Sequence, residues 1–207
     1  MLLKVPILGI AGPAQSGKST AAKIIKREAD GAIVAMSDAL NAMIRAGFGE
    51  MPFEYERDEI IPALGVTLRK LQQTLGDWGR DNISDDVWTQ RMWYRALDHY
   101  KVRPLIIEGV RTPDEAAFLR EKGGVIWHID NPRAPAVRAH RSEGQQVFKE
   151  GDVVVKNHGS RSEYGRAIRD GLRALGWGDQ LSTTSPDTAT PRSFYAPYPH
   201  HQPRRQR

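Results

Sequence analysis

The stretch GIAGPAQSGKST, residues 9–20, limits the folds open to this chain more than any other feature. It follows an apolar run and contains the pattern G-x-x-x-x-G-K-[ST], whose fixed positions are Gly12, Gly17, Lys18 and Ser19. A strand before this pattern and a helix after it predict a loop whose backbone N–H groups point at phosphate oxygens. The sequence therefore predicts an α/β fold with a nucleotide at the N-terminus of its first helix.

Each position of this phosphate-binding loop (P-loop) has an expected chemical role. Lys18 is expected to reach the β- and γ-phosphates and to act in catalysis, and the Ser19 hydroxyl is expected to bind Mg²⁺. The expected nucleotide-binding set in the loop is Gly12, Ala14, Gln15, Ser16, Gly17, Lys18, Ser19 and Thr20. The loop alone does not identify the phosphate acceptor, because kinases, motors, switches and ligases all use it.

Composition limits the class of protein further. A chain of 207 residues can form one domain with a full core but is too short for two domains and a linker. The absence of cysteine excludes disulfides, thiolate zinc sites and cysteine nucleophiles. No apolar stretch approaches the length of about 18 residues that a membrane span needs, and the N-terminal residues do not resemble a signal peptide. We therefore expect a cytoplasmic protein without a membrane partner.

The net charge of +5 is compatible with binding to nucleic acid or with many arginines for phosphate groups. The sequence has no long lysine run and no basic stripe interleaved with aromatic residues, so a nucleic-acid partner is not favoured. From residue 178 the chain becomes rich in Pro, Ser and Thr without helical or strand periodicity, which predicts a disordered tail. The expected domain therefore spans residues 1–177 and the tail residues 178–207.

Apolar runs and amphipathic segments alternate along the domain. Strands are expected at residues 5–11, 32–36, 104–109, 125–130 and 152–157, and helices at residues 18–29, from 37 or 38, 66–76, 85–100, 114–122 and 160–175. Residues 47–62 break the pattern and are expected to form a surface excursion. This alternation predicts a doubly wound, mostly parallel sheet of about five strands, with ligands at the carboxyl ends of the strands.

Three blocks carry a resemblance to phage deoxynucleoside monophosphate kinases, a family of P-loop nucleotide kinases. LRKLQQTLGDWGRDNISDDVW at 68–88 resembles that family's L-Q-x-L-G-x-x-x-G-R block, which is followed by an acidic residue and Trp. LIIEGVRTPDEAAFLREKGGVIWHID at 105–130 and HRSEGQQVFKEGDVVVKNHGS at 140–160 are similar to its later blocks. The resemblance spans most of residues 7–175 and implies a helical acceptor-binding insertion, an arginine-rich lid, and ATP and Mg²⁺ as cofactors.

The end of the third strand departs from the family pattern. Such kinases often have Asp before V-R, whereas this chain has Gly109 there and Glu108 one residue earlier. In another alignment, EGVRT resembles the D-G-x-P-R strand end of adenylate-type kinases. On either alignment Glu108 can hold the water shell of Mg²⁺ and Arg111 can reach the phosphate in transfer. A role for Glu108 as a helix cap is the alternative.

Phosphoryl transfer to a nucleotide's own phosphate needs no strong base, because the acceptor is already an anion, but it needs cations that bring two anions together. The candidate arginines come from three segments: Arg80, Arg111, Arg133, Arg138 and Arg141. Residues 133–141 follow the strand ending at Asp130, where the resemblance places a lid that closes over the triphosphate. We expect Arg133 to contact the donor nucleotide and Arg111, Arg138 and Arg141 to act in catalysis. A solvated basic helix is the alternative for residues 133–141.

The resemblance also points to acceptor-binding residues, most of them in the block at 68–88. Aromatic faces can stack a base, and Gln or Arg can read its edge. The expected acceptor-binding set is Asp38, Arg69, Gln72, Trp78, Arg80, Asp81 and Trp88. For the two tryptophans the alternative is a place in the core, for Gln72 a solvent-facing position, and for Asp38 a helix cap.

The sequence as a whole indicates a kinase that transfers the γ-phosphate of ATP, with Mg²⁺, to a deoxynucleoside monophosphate for DNA precursor synthesis. If a phage encodes it, the expected location is the host cytoplasm; a homodimer is an open alternative to a monomer. A competing function is phosphorylation of a hydroxyl on a modified base in DNA or on a coenzyme precursor. A competitor of another class is a nucleotide-dependent regulatory or DNA-binding module. The accepted base does not follow from the sequence.

Overall fold

The computed structural model describes residues 6–100, 103–135 and 147–177. In chain order the elements are β1 (Ile7–Ala11), α1 (Lys18–Ala29), β2 (Ala32–Ala35), α2 (Asp38–Phe48), a 3₁₀ helix (Met51–Phe53), β3 (Ile60–Ile61), β4 (Val66–Thr67), α3 (Leu68–Asn82), α4 (Val87–Tyr100), β5 (Leu105–Val110), α5 (Pro113–Glu121), β6 (Val125–Asp130), β7 (Val153–Lys156) and α6 (Arg161–Ala174). The predicted tail, residues 178–207, lies outside the described residues, so the domain boundary stays a prediction.

The main sheet has five strands in the order β2-β5-β1-β6-β7, and each neighbouring pair is parallel. All five residues of the central strand β1 are buried. Continuous apolar strands of this kind are typical of parallel sheets that are covered on both faces. The predicted doubly wound α/β fold with about five strands is therefore confirmed.

Alternate residues of the strands supply two separate cores. On one face, Leu8, Ile106 and Trp127 pack with residues of α1 and α6. On the other face, Ile107 and Ile126 pack with buried residues of α4 and α5. Consecutive residues of β5, such as Ile106 and Ile107, point to opposite faces, as the strand geometry requires. The carboxyl ends of the strands remain between these two helical layers, at one edge of the sheet.

Helices α2, α3 and α4 form a group beside the sheet, held together through Trp88. A Cβ atom on Gly79 would lie 2.7 Å from Cε2 of Trp88, so α3 needs glycine where the indole ring approaches. The Trp88 Nε1–H donates to the carbonyl of Gly76 at 2.8 Å. The helix was expected to end near Gly76 but continues to Asn82, and Gly79 accommodates the neighbouring ring inside this unbroken helix.

Residues 47–62, expected as a surface excursion, contain the 3₁₀ helix and β3, which pairs antiparallel with β4. The expected helix from residue 66 begins two residues later, since Val66 and Thr67 form β4 and the Thr67 hydroxyl accepts a hydrogen bond from the N–H of Lys70 as an N-cap. Within the part of the chain that the structure describes, no helix is both long and apolar enough to cross a bilayer.

Candidate active site

The P-loop connects β1 to α1, and its glycines are required by geometry. Gly12 and Gly17 have φ angles of 136° and 109°, which L-residues with side chains rarely adopt. A Cβ atom at Gly12 would lie 2.8 Å from the carbonyl oxygen of Ile129. The backbone can therefore curl at the strand end only with glycine at these positions.

Three side chains from distant segments hold this loop by its carbonyl oxygens. The Asn157 and Asn131 side-chain amides donate to the carbonyl of Ser16, at 2.8 and 3.3 Å. The Tyr164 hydroxyl, from α6, donates to the carbonyl of Gly17 at 3.1 Å. Burial raises the pKa of Tyr164, so its hydroxyl remains a donor across the whole neutral range. The loop is thus fixed by the ends of β6 and β7 and by α6.

Lys18 lies over the loop itself. Its ammonium group donates to the carbonyl oxygens of Gly12 and Pro13, at 2.8 and 2.5 Å. Ser16 is fully buried, and its hydroxyl has no hydrogen-bond partner among the described atoms. A fixed ammonium, a curled glycine backbone and an unsatisfied hydroxyl suit a loop that receives phosphate oxygens.

The Ser19 hydroxyl donates to Oε1 of Glu108, which joins the start of α1 to the end of β5. The register of β1 and β5 skips Gly109, which has a φ of 85°, so the chain bulges directly after Glu108. A Thr112–Glu115 capping box, rather than Glu108, caps α5. A hydroxyl and a carboxylate in contact are oxygen ligands of the kind that Mg²⁺ prefers.

No group of three or more His, Asp and Glu side chains that could hold a metal ion is found among residues 6–100, 103–135 and 147–177. Mg²⁺ in nucleotide sites usually keeps waters and phosphate oxygens as ligands and needs only one or two protein groups. The pair formed by Ser19 and Glu108 fits that requirement.

A cavity of about 1150 Å³ opens over the carboxyl ends of the strands. Ten of the expected site residues line it: Gly12, Ala14, Gln15, Gly17, Lys18, Ser19, Thr20, Arg69, Glu108 and Arg111. Six charged or aromatic residues that sequence reasoning missed also line it: Glu56, Arg57, Asp58, His128, Asp130 and Phe148. The phosphate-binding loop and an arginine-containing wall on another segment therefore share one cavity.

That wall is built by residues 56–58 and by the first turns of α3. Arg69 is buried and makes a two-point ion pair with Asp58, with N–O distances of 2.5 and 3.2 Å. Arg57 donates to Oε1 of Gln72 at 2.7 Å. Gln72, whose Nε2 donates to Asn41 Oδ1 at 2.6 Å, does not face solvent but joins α2, α3 and the excursion. These bonds hold two guanidinium groups in the cavity wall.

The feature of the sequence that could have indicated this wall is a run of three charged residues, Glu56, Arg57 and Asp58. It lies in a segment without helical or strand periodicity, and loops on a rigid scaffold often carry binding residues. The trio contacts α3 only in the folded chain, since Arg57 and Gln72 are 15 residues apart. Local sequence patterns therefore could not reveal the contact.

The opposite wall contains a buried polar cluster. His128 Nε2 lies 2.9 Å from Asp152 Oδ2, and Arg120 makes a two-point ion pair with the same carboxylate. Burial acts to raise the pKa of Asp152, but its bonds to Arg120, His128 and the N–H of Lys149 outweigh this and lower it. The Phe148 ring packs edge-on against His128 at 5.2 Å between centroids. This cluster fixes the chain just before β7 against α5 and β6.

Both tryptophans of the expected acceptor set lie away from the main cavity. Trp78, 49% exposed, and Trp88, 7% exposed, line a second cavity of about 700 Å³ among α2, α3 and α4. Asp81 is exposed at the end of α3. Asp38 Oδ2 accepts a hydrogen bond from the N–H of Ala35 at 3.0 Å, which fixes the turn from β2 to α2. The structure does not bring these four residues together with the P-loop.

Arg80 belongs to the acceptor block and lies in the last turn of α3. Its side chain is 20% exposed and its Nη1 lies 3.5 Å from Asp77 Oδ1. Burial raises the pKa of the Glu115 carboxyl, although two backbone hydrogen bonds and the charges of Arg111 and Arg80 act to lower it.

Of the arginines expected in the lid, only Arg133 is described. It is exposed and donates through Nη2 to the carbonyls of Asn157 and Gly159, at 3.2 and 3.0 Å. These contacts join the end of β6 to the segment between β7 and α6. Arg138 and Arg141 lie outside the described residues, so their roles stay predictions.

Comparisons with known proteins agree with this geometry. The profile of a family described as "Deoxynucleotide monophosphate kinase" matches residues 58–168, more than half of the chain. A protein of Acanthamoeba polyphaga mimivirus, named "Putative deoxynucleotide monophosphate kinase", is 27% identical over 176 residues, which are 76% of this chain and 91% of that protein.

Two solved structures of low identity also match. A gluconokinase from Sinorhizobium meliloti is 14% identical with a TM-score of 0.48, covering 89% of this chain and all of its own. Shikimate kinase from Aquifex aeolicus is 16% identical with a TM-score of 0.46, covering 83% of this chain and 99% of its own. The family profile, by contrast, spans the acceptor block, the end of β5 and most of α6. The protein therefore belongs to the deoxynucleotide monophosphate kinase family.

Proposed function

We propose that this protein transfers the γ-phosphate of ATP to the phosphate of a deoxynucleoside monophosphate, giving the diphosphate. The observation that carries the proposal is the single cavity of about 1150 Å³ that reaches from Lys18 to Arg69. Pockets for one drug-sized ligand usually measure about 300–1,000 Å³, so this cavity has room for a donor and an acceptor. Transfer between two bound nucleotides requires such a shared cavity.

On the donor side, the P-loop holds the triphosphate. Lys18 exchanges its bonds to the carbonyls of Gly12 and Pro13 for bonds to β- and γ-phosphate oxygens. Ser19 and Glu108 are the residues that would hold Mg²⁺, which would neutralise negative charge on the phosphates. Arg133, beside the segment after β7, is proposed to contact the donor nucleotide.

On the acceptor side, the chain has to bring a second anion next to the first. Guanidinium groups suit this work because they bind phosphate at two points and keep their charge. We propose that Arg57, Arg69 and Arg111, which line the cavity, and Arg80 of the acceptor block supply this charge. We also propose that Gln72, bonded to Arg57, contacts the acceptor base.

Several predictions from the sequence stay predictions at this point. They are base contacts from Trp78 and Trp88, a sugar or metal contact from Asp38, acceptor binding by Asp81, a homodimer, a cytoplasmic location, and catalytic roles for Arg138 and Arg141. No feature of the described residues favours a polymer substrate or a purely regulatory role over the kinase.

A labelled-phosphate assay tests the proposal. Purified protein with γ-labelled ATP and Mg²⁺ is incubated separately with the four standard deoxynucleoside monophosphates, with modified ones, and with single-stranded and duplex DNA. We expect label in at least one nucleoside diphosphate. Transfer to DNA alone would favour a polymer kinase, and transfer to no acceptor with ATP still bound would favour a regulatory module.

A further inference from the structure

The carbonyl oxygen of Ser16 accepts side-chain hydrogen bonds from the ends of two neighbouring strands. Asn157 directly follows β7 and its amide donates at 2.8 Å, and Asn131 directly follows β6 and its amide donates at 3.3 Å. The backbone N–H of Asn157 also donates to the carbonyl of Asp130 at 2.7 Å, which joins the two strand ends. A Cβ atom on Gly17 would lie 2.6 Å from Asn157 Nδ2, so the amide can approach the loop only because residue 17 is glycine.

The position of this carbonyl determines where the next N–H points. The peptide bond between Ser16 and Gly17 is trans, so its C=O and N–H lie in one plane and point in opposite directions. Because the C=O faces the two asparagines, the Gly17 N–H faces away from them. Among the described residues this N–H has no backbone acceptor, and Gly17 lines the main cavity. An N–H without an acceptor at the start of a helix can bind a phosphate oxygen.

The same two asparagines are bonded to Arg133, which is proposed above to contact the donor nucleotide. The backbone N–H of Arg133 donates to Asn131 Oδ1 at 3.0 Å, and its Nη2 donates to the carbonyl of Asn157 at 3.2 Å. Together with the two bonds to the Ser16 carbonyl, these bonds form a closed ring. The orientation of the loop peptide and the position of Arg133 therefore depend on the same two residues.

We propose that Asn131 and Asn157 are positioning residues for the donor triphosphate, because they hold the peptide between Ser16 and Gly17 with its N–H toward the phosphates. An amide side chain is neutral, so it orients the loop without adding a charge beside the anion. A loop that is already oriented does not have to be ordered when the phosphate enters, which strengthens binding. This inference deepens the proposed function and rests on the donor role that it gives the P-loop.

The experiment compares Asn157→Leu and Asn131→Leu with the control Asn82→Leu. Leucine keeps a side chain branched at Cγ and removes the amide without changing the net charge. Asn82 is exposed at the end of α3, and its amide also donates to a backbone carbonyl, that of Trp78 at 2.9 Å. It does not line the main cavity. The control therefore removes a bond of the same kind away from the P-loop.

We expect Asn157→Leu and Asn131→Leu each to raise the dissociation constant and the KM for ATP by about 3- to 10-fold, as for the loss of one hydrogen bond. The KM for the monophosphate should stay close to the wild-type value, and Asn82→Leu should leave ATP binding unchanged. Unchanged ATP binding in both P-loop variants would overturn the inference, as would equal weakening of ATP and the monophosphate. If Asn157→Leu does not fold, Asn131→Leu, which removes the longer bond to the same oxygen, decides alone.

NMR of the Gly17 amide distinguishes positioning of the loop from a role in stability. In isotope-labelled wild-type protein, saturating ATP should shift the Gly17 amide signal, because its N–H gains a phosphate acceptor. The shift should be clearly smaller in the variant that carries both substitutions, while the signals of the core strand β1 stay in place. A role in stability alone would lower the melting temperature and leave the shift at saturation unchanged, and that result would overturn the inference.

Failure of the proposed function has a separate result. The wild-type turnover assay with free monophosphates reports on that function alone. Equilibrium binding of ATP, measured by calorimetry, requires no turnover and reports on the two asparagines. Wild-type protein that binds ATP without phosphorylating any monophosphate would therefore contradict the kinase reaction, and the variants would still decide the role of Asn131 and Asn157.

Discussion

Lys18 donates to the carbonyl oxygens of Gly12 and Pro13, so its ammonium group is held inside the loop that the phosphates would enter. A cation that is already in place needs little reorganisation when charge moves onto the transferring phosphate. Ser19 and Glu108 are fixed in the same way by their mutual bond. At the scale of single residues, the donor half of the site is therefore preorganised.

This arrangement predicts a large loss of turnover for Lys18→Met. The substitution keeps an unbranched side chain but removes the charge next to the γ-phosphate, and loss of one such group typically reduces turnover by about 10²- to 10³-fold. Circular dichroism should show a folded protein, and a coupled ADP assay measures the rate. Lys23→Met, at an exposed position of the same helix, is the control and should keep full activity. Near-normal turnover in Lys18→Met would contradict the kinase mechanism.

Some residues of the site could be predicted from the sequence and others could not. The P-loop residues follow a local pattern with fixed spacing, so each could be predicted before the structure. Arg57 could not, because its place in the cavity wall depends on a bond to Gln72 across the fold. The expected pairing of Trp78 with the acceptor site rested on residue type, whereas its position depends on which face of α3 turns outward.

The observed helices and strands agree closely with the predicted ones wherever the sequence pattern is local and periodic. The buried strands β1, β5 and β6 were recognisable as short aliphatic runs, and their parallel order follows from the alternation with helices. The length of α3 could not be predicted in the same way, because glycines such as Gly76 and Gly79 often mark the end of a helix. The reason for Gly79 is the indole ring of Trp88, from a helix that begins later in the chain, whereas a Cβ atom on Gly76 would approach the end of the Arg80 side chain at 3.3 Å.

Two glycines in helices therefore predict opposite effects of the same substitution. Gly47→Ala in α2 adds a Cβ atom with no heavy atom within 4 Å, so it should stabilise the protein by about 0.5–1 kcal/mol through helix propensity. Gly79→Ala in α3 places the Cβ atom against the indole ring of Trp88 and should destabilise by about 1–3 kcal/mol. Urea unfolding of both variants measures the difference. Equal stabilities would show that Trp88 does not require this glycine.

For the whole molecule, the two cores and the site depend on one another. On one face of the sheet, Trp127 of β6 packs in the same core as Tyr164 and Ile168 of α6, and the Tyr164 hydroxyl also donates to the carbonyl of Gly17 in the P-loop. Packing of the last helix is thus transmitted directly to the phosphate-binding loop. We therefore expect nucleotide binding by this loop to weaken when the packing of α6 against the core is disrupted.

The predicted boundary of the domain can be tested by two truncations, at residues 178 and 171, which lie on either side of the last residues that pack against the core. Trp177 packs against the core under α6, and its N–H donates to the carbonyl of Leu172 at 2.9 Å. A chain that ends at residue 178 keeps these contacts and loses only the segment whose composition lacks the apolar residues for a core. Its melting temperature should be unchanged, and its turnover should stay within a few-fold of the full chain.

A chain that ends at residue 171 is the matched comparison. It lacks Leu172, which is 3% exposed, together with Leu175 and Trp177, which pack against the same core. Loss of one large buried aliphatic side chain typically costs about 2–5 kcal/mol, a large part of the stability of a domain. The shorter chain should therefore melt at a much lower temperature and bind ATP weakly, because α6 no longer holds Tyr164 against the P-loop. If the chain ending at residue 178 is destabilised as strongly, residues beyond 178 contribute to the fold and the boundary lies later in the chain.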